Sequence, residues 1–333
     1  MYSPKVLKRI KQLIKGKTAY LVPSIPSNDD IELSALLNIP VFSGDPQKNA
    51  LYSTKSGAKT IFNTCDMPIP AGSYNIYDEK EFVLTLTKLI AYNFNVNTWI
   101  FKIDDEFNGR GHASFSIEQC KVLVELRNRK LPVTEDLILK IHEILNSVLP
   151  LKIKIAMPHL HRNYSEYIRK FVQKGGVIEA APNCMPSQVS SSCIGFKIDP
   201  TGEIEVLGSY DKCFSHEYVT CGYFFPQKAV PNLNLYTICQ TIGKALYDQG
   251  VFGYASLDII SFSDPTNKSH DDSNSGNKLF WAVDLNCYMT SYVASTMFFE
   301  FLMGGQLDQY SGVYTIPKQI SGFFCLNIQI SLK

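Results

Sequence analysis

Strand patterns in this chain come in adjacent pairs, and this pairing constrains the fold more than any other feature. Residues 98–103 and 112–117 flank a loop with two glycines, and residues 193–199 and 204–210 flank a turn that contains proline and glycine. Such short connections join antiparallel strands. Helical patterns, the strongest of them at residues 79–92, separate the pairs. The alternation predicts α+β lobes and not one parallel sheet.

Composition and charge narrow the class of protein. The chain has 333 residues, of which 45% are hydrophobic and 19% charged, and its net charge is +1. This balance gives no strong signal for nucleic acid, although residues 5–17 are rich in lysine and are interpreted as a solvated helix face. No apolar run is long enough to span a membrane. The nine cysteines show no CxxC spacing, which indicates reduced thiols and a cytoplasmic protein.

The first 50 residues resemble part of a nucleotide-binding domain. Helical patterns cover residues 6–14 and 29–37, and short strand patterns at residues 18–22 and 39–42 flank the second helix. This β-α-β order predicts a partial Rossmann-like segment over residues 1–50. We expect an N-terminal lobe over residues 51–182 and a C-terminal lobe over residues 183–333. Because the first segment is short for a domain, we expect the chain to be one piece of a longer protein.

Asp284 and Asn286 are the strongest candidates for metal ligands. They lie in a buried strand pattern, and residues two apart on a strand point to the same face. Carboxylate and amide oxygens suit Mg²⁺, although a strand end that begins a turn would also explain the pair. Asp258 ends a strand pattern before the polar stretch 264–277, which is interpreted as a disordered hairpin insertion. The hairpin would bring Asp258 beside Asp284.

Three lysines and a glutamate in ordered positions precede the metal candidates along the chain. Lys55 and Lys59 lie one turn apart on a predicted helix before a proline-rich linker. Lys102 lies on an apolar strand that leads into the glycine loop, and Glu179 lies near the end of a strand that follows a Gly-Gly stop. Residues 211–216 are interpreted as a loop that could contact a substrate. Each feature also has a plain structural explanation, so their shared order carries the functional hypothesis.

That order resembles the ATP-grasp fold, and most closely the ATP-grasp domain of the IQ-motif-containing protein H family. The resemblance extends over residues 51–305, and the matching stretches are residues 54–59, 68–72, 101–112, 175–180 and 281–286. It implies two α+β lobes that grip ATP and Mg²⁺. It also implies a cilium- or flagellum-linked protein with protein partners elsewhere in a larger chain or assembly.

The resemblance assigns a role to each candidate residue. Lys102 would face the α/β-phosphates, and Lys55 or Lys59 would supply a second cation. The loop would close over the β/γ-phosphates through Gly109, Arg110 and Gly111. The Glu179 carboxylate would accept from the adenine amine, while the backbone of Ala180 and Ala181 would contact the adenine edge. The Mg²⁺ ligands would be Asp258, Asp284 and Asn286.

Two departures from the family pattern leave the activity open. The resemblance implies a glutamate and, four residues later, an arginine, where this chain has Asp284 and Tyr288; Ser256 stands at another position that is commonly arginine. Tyrosine cannot replace a cation that stabilises phosphoryl charge. One hypothesis is therefore an ATP-dependent ligase that joins an unknown carboxylate to an amine or thiol through an acylphosphate. The other is a catalytically degenerate ATP-grasp scaffold or nucleotide-sensing module.

Overall fold

The computed structural model describes residues 3–216, 218–263 and 278–316. The α-helices are α1 (Pro4–Ile14), α2 (Asn28–Leu37), α3 (Pro46–Ser53), α4 (Lys55–Thr64), α5 (Glu79–Tyr92), α6 (Lys121–Asn128), α7 (Glu135–Lys152), α8 (Tyr164–Lys174), α9 (Asn232–Asp248) and α10 (Ser291–Met303). The strands are β1 (Gly72–Ile76), β2 (Thr98–Ile103), β3 (His112–Ser116), β4 (Lys154–Ile155), β5 (Gly176–Ala180), β6 (Val189–Ile198), β7 (Ile204–His216), β8 (Val219–Phe224), β9 (Gly253–Ser263), β10 (Lys278–Asn286), β11 (Gln306–Leu307) and β12 (Tyr314–Thr315).

The first five-stranded sheet has the order β1-β5-β2-β3-β4, with antiparallel neighbours throughout. Its core consists mainly of buried residues from β2, β3 and β5 and from helices α5, α6, α7 and α8. Phe82 of α5 makes edge-to-face contacts with Phe101 of β2 and Phe171 of α8, each with ring centroids 4.9 Å apart. Such contacts fix how the helices cover one face of the sheet. The pairing of β2 with β5 in this sheet positions Lys102 and Glu179.

The second five-stranded sheet has the order β10-β9-β6-β7-β8 and is also antiparallel. Its core joins the sheet to α9 and to the apolar side of α4, whose Ala58, Ile61 and Phe62 are buried there. On the other face, Val293 of α10 packs directly over Gly195, where a Cβ atom would come within 2.6 Å of the valine side chain. Although α4 precedes the first sheet in the chain, it packs into the core of the second and so lies where the lobes meet.

The antiparallel pairs and intervening helices confirm the predicted α+β class. Residues 18–22 and 39–42 form one parallel bridge, between Leu21 and Val41, where two strands were predicted. Pro23 and Pro40 lack the N–H groups that would extend a ladder. Strands β1, β8, β11 and β12 and helix α3 were not predicted, and the domain boundaries remain a prediction. The predicted disordered insertion lies outside the described residues, among which no helix is both long and apolar enough to cross a membrane.

Candidate functional site

A cleft of about 1530 Å³ lies between the two sheets. The first sheet contributes Lys102 and His112 to its wall, and the second contributes strands β7, β9 and β10. The charged side chains at its centre form an inner charge cluster, which consists of Lys55, Lys59, Lys102, Glu179, Lys212, Asp258 and Asp284. The structure therefore brings together the predicted lysines, the predicted glutamate and both predicted aspartates.

Glu179 holds two lysines. Its Oε1 is 2.6 Å from Nζ of Lys59, and its Oε2 is 2.6 Å from Nζ of Lys102. Strand pairing places Ile100 opposite Glu179, so Lys102 and Glu179 project from the same face of the sheet. Burial would raise the pKa of Glu179, but Lys102 and Lys59 more than offset it and lower the pKa to about 2. Glu179 is therefore ionised and engaged with lysines, which compete with its predicted contact to adenine.

The positive charge of Lys59 is less fully compensated than that of Lys102, which shares the same carboxylate. The Lys59 side chain is only 3% exposed, and burial lowers its pKa although Glu179 opposes the effect. One carboxylate shared between two ammonium groups cannot neutralise both. The Lys59–Glu179–Lys102 triad thus carries excess positive charge beside the cleft, which favours an anionic ligand.

Lys55 begins α4 and pairs with the predicted metal ligand Asp284. Thr54 caps the helix by accepting from the Gly57 N–H, and Asp104 Oδ1 accepts from the Ser56 N–H at 2.7 Å. These caps fix the start of the helix at the cleft wall. The Lys55 ammonium donates to both carboxylate oxygens of Asp284 at 2.9 Å. Burial would raise the pKa of Asp284, but Lys55 lowers it below its usual value.

Asp258 and Asp284 face each other on neighbouring strands, directly opposite in the β9–β10 register. One Asp258 oxygen, Oδ2, pairs with the Lys212 ammonium, and Oδ1 is buried without a hydrogen-bond partner. Asn286 lies two residues along β10, and its Oδ1 accepts from the Tyr288 hydroxyl at 3.0 Å. The three predicted metal residues are thus adjacent, as the sequence analysis expected.

These residues fit Mg²⁺ as part of a shared coordination shell. Two opposed carboxylates, one with an unpartnered buried oxygen, and an amide oxygen are hard ligands of the kind that Mg²⁺ prefers. Among the described residues, no group of three or more histidine, cysteine, aspartate or glutamate side chains could hold a metal by itself. The remaining ligands would have to come from phosphate and water, which is the usual arrangement for Mg²⁺ at nucleotide sites.

One part of the glycine loop lines the cleft and another part lies at the surface. Asn108 and Gly109 line the cleft, and Gly109 has φ of +77° and lies so close to Tyr218 that a Cβ would come within 2.3 Å of the Tyr218 carbonyl oxygen. Arg110 instead lies 3.4 Å from Glu106 with its side chain half exposed. The Gly111 carbonyl accepts from the Tyr167 hydroxyl. The backbone at residues 108–109 is therefore better placed for phosphate than Arg110 is.

The adenine-side candidates continue from β5. Ala180 and Ala181 both line the cleft. Their N–H groups are already used, because that of Ala180 donates to the Ala71 carbonyl at 2.8 Å and that of Ala181 donates to the Thr98 carbonyl at 2.9 Å. Contact with an adenine edge would therefore fall to other backbone groups of this segment or require a small rearrangement.

His112 and Lys212 are site residues to which the sequence analysis gave no individual role, although Lys212 lies in the candidate loop 211–216. The His112 ring stacks on Tyr218 with centroids 5.7 Å apart, and burial, followed by Lys102 and Lys55, lowers its pKa to about 3. Lys212 belongs to β7, so residues 211–216 form a strand and not the predicted loop. The register that pairs His112 with Lys102 was accessible from the predicted hairpin. The Lys212–Asp258 contact depends on tertiary structure.

The fold and the cleft define an ATP-grasp protein. The biotin carboxylase domain of Hydrogenobacter thermophilus 2-oxoglutarate carboxylase, solved with MgADP, ADP and bicarbonate, aligns with a TM-score of 0.52 and 14% identity over 92% of this chain and 55% of its own. Campylobacter jejuni biotin carboxylase, solved as a complex with β-γ-ATP, aligns with a TM-score of 0.51 and 15% identity over 94% and 59% of the two chains. At these identities the likeness shows the fold alone.

Sequence comparison then gives the family. A family model described as IQCH-like, ATP-grasp matches residues 46–310. IQ motif-containing protein H from Danio rerio is 30% identical over 329 residues, which cover 95% of this chain and 30% of that protein. The chain belongs to the IQCH-like ATP-grasp family, which confirms the predicted family and fold. It spans less than a third of the length of this relative.

Proposed function

We propose that the cleft binds Mg-ATP. The observation that carries this proposal is the inner charge cluster at the cleft, in which Lys59 and Lys102 share Glu179, Lys55 pairs with Asp284, and Asp258 lies opposite Asp284. Lysine ammonium groups beside two carboxylates supply the two kinds of ligand that a metal–triphosphate complex needs. The nucleotide complexes of the two structural neighbours support the proposal at the level of the fold.

In this proposal the triphosphate replaces the carboxylates as the binding partner of lysines that are ion-paired in the free protein. Lys102 and either Lys55 or Lys59 contact phosphate oxygens as point charges. The N–H groups near Gly109 donate to the terminal phosphates, because a glycine there permits close approach of the backbone. Glu179 and the segment at Ala180 contact adenine. Arg110 contributes only if its side chain leaves Glu106.

Asp258, Asp284 and Asn286 would hold Mg²⁺ against the β/γ-phosphates. When bound, the ion would neutralise phosphate charge and polarise the terminal phosphoryl group. The protein groups would keep the triphosphate in a fixed position. Tyr288 would orient Asn286 through the hydrogen bond between their side chains.

A specific feature favours an acyl-activating ligase as the finer function. Thr290, Ser291 and Tyr292 at the start of α10 line the same cleft. The Thr290 hydroxyl is buried without a partner and does not cap the helix, whose first turn contains no acid. Uncapped N–H groups at a helix N-terminus attract anions. A carboxylate held there would attack the γ-phosphorus, which breaks its bond to ADP; an amine or thiol would then attack the acylphosphate carbonyl and release phosphate.

Tyr288 favours the alternative, a catalytically degenerate scaffold or nucleotide sensor. Burial raises the pKa of Tyr288, and Asp284 raises it further, so the hydroxyl is neutral and supplies no cation. Under this alternative the cleft binds nucleotide, and binding regulates partners of a cytoplasmic, cilium-linked protein without turnover. Release of ADP across a panel of carboxylates and amines distinguishes the two functions.

A thermal shift titration tests the proposal. ATP with Mg²⁺ should raise the melting temperature more than ATP with EDTA, because a ligand stabilises the state to which it binds. Asp284→Ala should abolish the Mg²⁺-dependent part of the shift. Asp248→Ala, which removes an exposed acid at the end of α9, is the matched control and should keep it. An unchanged shift in Asp284→Ala would refute the metal assignment, and no shift with any nucleotide would refute the proposed function.

A further inference from the structure

Lys55 occupies the position on Asp284 where a metal ion would bind. Its ammonium contacts both carboxylate oxygens at the same distance, 2.9 Å. The contact is sheltered, because the Lys55 and Asp284 side chains are 5% and 20% exposed. A cation that bridges both oxygens of Asp284 would collide with this ammonium. The protein thus carries an internal cation at its candidate metal site.

The rest of the metal site is only partly blocked. Asp258 lies opposite Asp284, and its Oδ1 has no partner because Lys212 holds only Oδ2. The unpartnered oxygen is a buried acceptor of the kind that costs free energy unless something binds it. Lys212 occupies one oxygen of Asp258, whereas Lys55 occupies both oxygens of Asp284 and is therefore the larger obstacle to a metal ion at this carboxylate pair.

Lys55 can be transferred to a polyphosphate without moving the helix. Its backbone is fixed at the start of α4 by the caps at Thr54 and Asp104, but its side chain has a flexible four-carbon stem. Lys55 also lines the cleft. The N–H groups at the start of α4 are already bonded to Thr54 and Asp104, so a phosphate group in the cleft would be attracted by the Lys55 ammonium itself. Release of Asp284 would leave a buried carboxylate uncompensated, and a divalent cation would restore the balance.

We infer that Lys55 is an exchangeable internal cation that excludes divalent metal from Asp258 and Asp284 until a polyphosphate draws it away. Metal entry and polyphosphate entry are then thermodynamically coupled, and the coupling is reciprocal. The inference rests on the proposed function only for the identity of the polyphosphate. The exclusion of metal from the free protein is a property of the lysine and the carboxylates alone.

Titration of the free protein with Mn²⁺, followed by electron paramagnetic resonance and calorimetry, tests the inference without nucleotide. The wild-type chain should show no saturable Mn²⁺ binding. Lys55→Met should bind Mn²⁺ at least about tenfold more tightly than wild type, a coupling within the usual range. Adding Asp284→Asn to Lys55→Met should remove that binding.

Lys102→Met is the matched control. It removes one positive charge from the same cleft, but it leaves Lys55 on Asp284 and Lys59 on Glu179. If Mn²⁺ affinity responds only to the net charge of the cleft, Lys102→Met and Lys55→Met will gain it equally, and the inference fails. Saturable Mn²⁺ binding by the wild-type protein, as tight as that of Lys55→Met, would also overturn it.

The folded state of each variant is checked by circular dichroism, and Lys55→Gln, which retains a polar side chain, provides a second variant with the same expectation. Saturable Mn²⁺ binding by the wild-type protein contradicts the inference whether or not the variants fold, and Lys55→Gln supplies the deciding comparison if Lys55→Met unfolds. Failure of the proposed function can be told apart from failure of this inference. If the proposed function fails, ATP does not raise the melting temperature of the wild-type protein, whereas the Mn²⁺ titration of Lys55→Met does not depend on nucleotide.

Discussion

Replacing Glu179 by glutamine tests the energetic core of the cleft. In the free protein this one carboxylate compensates Lys59 and Lys102, each with Nζ 2.6 Å from a carboxylate oxygen. Glu179→Gln keeps the shape of the side chain and removes its charge. At neutral pH the native carboxylate is fully ionised, since its pKa is about 2. The substitution therefore leaves two buried ammonium groups facing a neutral amide.

The expected loss of stability is large for a change of so few atoms. Removing one partner of a buried ion pair typically costs about 3–5 kcal/mol, because the remaining charge stays buried without compensation. The glutamine oxygen still accepts from one lysine, and Lys102 is 9% exposed, so part of its charge is solvated. We therefore expect a cost at the lower end, about 3 kcal/mol.

Urea unfolding at pH 7 measures this cost. Tryptophan fluorescence reports both sheets, through Trp99, which is fully buried in β2, and Trp281 in β10. Lys59→Met is the matched variant: it removes the poorly compensated lysine and leaves a one-to-one Lys102–Glu179 pair, so its cost should lie below about 1.5 kcal/mol. The double variant should lose less than Glu179→Gln alone, because only one ammonium then lacks a partner.

Two results would contradict this reasoning. A free energy of unfolding for Glu179→Gln within about 0.5 kcal/mol of wild type is typical of a surface change and would mean that the carboxylate does not compensate the lysines. Strict additivity of Glu179→Gln and Lys59→Met would mean that the two side chains act independently, against the shared geometry of the triad.

Three further predictions concern single positions. The folded pKa of His112, about 3, lies below its unfolded value. Its contribution to stability is therefore present above about pH 6.5 and is lost as pH falls toward 3, at up to about 1.4 kcal/mol per pH unit. The free energy of unfolding of His112→Gln should depend less steeply on pH across this range, and an equally steep dependence would refute the assignment. Gly109→Ala should lower the free energy of unfolding by about 1 kcal/mol or more, because φ is +77° and the added Cβ would meet the Tyr218 carbonyl. Limited proteolysis should therefore cut Gly109→Ala faster than wild type. The control Gly222→Ala, whose added Cβ has nothing within 4 Å, should be cut at the wild-type rate. Thr290→Val should raise the melting temperature, since it removes a buried hydroxyl without a partner, and should reduce any carboxylate-dependent ADP release; a lower melting temperature would show that the hydroxyl is bonded.

Local patterns predicted the elements that have strong internal signals. The bounds of α5 and β2 agree at both ends with the predicted ranges 79–92 and 98–103, because Asp78 caps the helix and β2 is almost wholly apolar. Strand β8 gave no such signal: its residues are partly or fully exposed, so no alternating apolar face marks it. Short edge strands depend on the neighbour to which they pair, which a local pattern does not contain.

In the candidate site, the residues could be selected from the sequence but their pairing could not. Lys55, Lys59, Lys102, Glu179 and Asp284 were each selected from the sequence, and they do converge in one cleft. Their pairing was not predicted. Lysine side chains are long, and which carboxylate each one meets depends on how α4 packs between the sheets. The sequence analysis expected Lys55 and Glu179 to await a ligand, whereas each already has a protein partner.

The energetics of the inner charge cluster favour a ligand-binding role over a stabilising one. Buried ion pairs add little net stability, because desolvation offsets their attraction, and apolar side chains of similar volume often serve as well. A cluster built for stability would also leave no acceptor unsatisfied, yet Asp258 Oδ1 is buried without a partner and Lys59 shares its carboxylate with Lys102. Excess positive charge on one wall and an unused oxygen on the other are both corrected by an anion that carries a cation. Mg-ATP is such a ligand, so the same imbalances that cost the free protein stability would strengthen its binding.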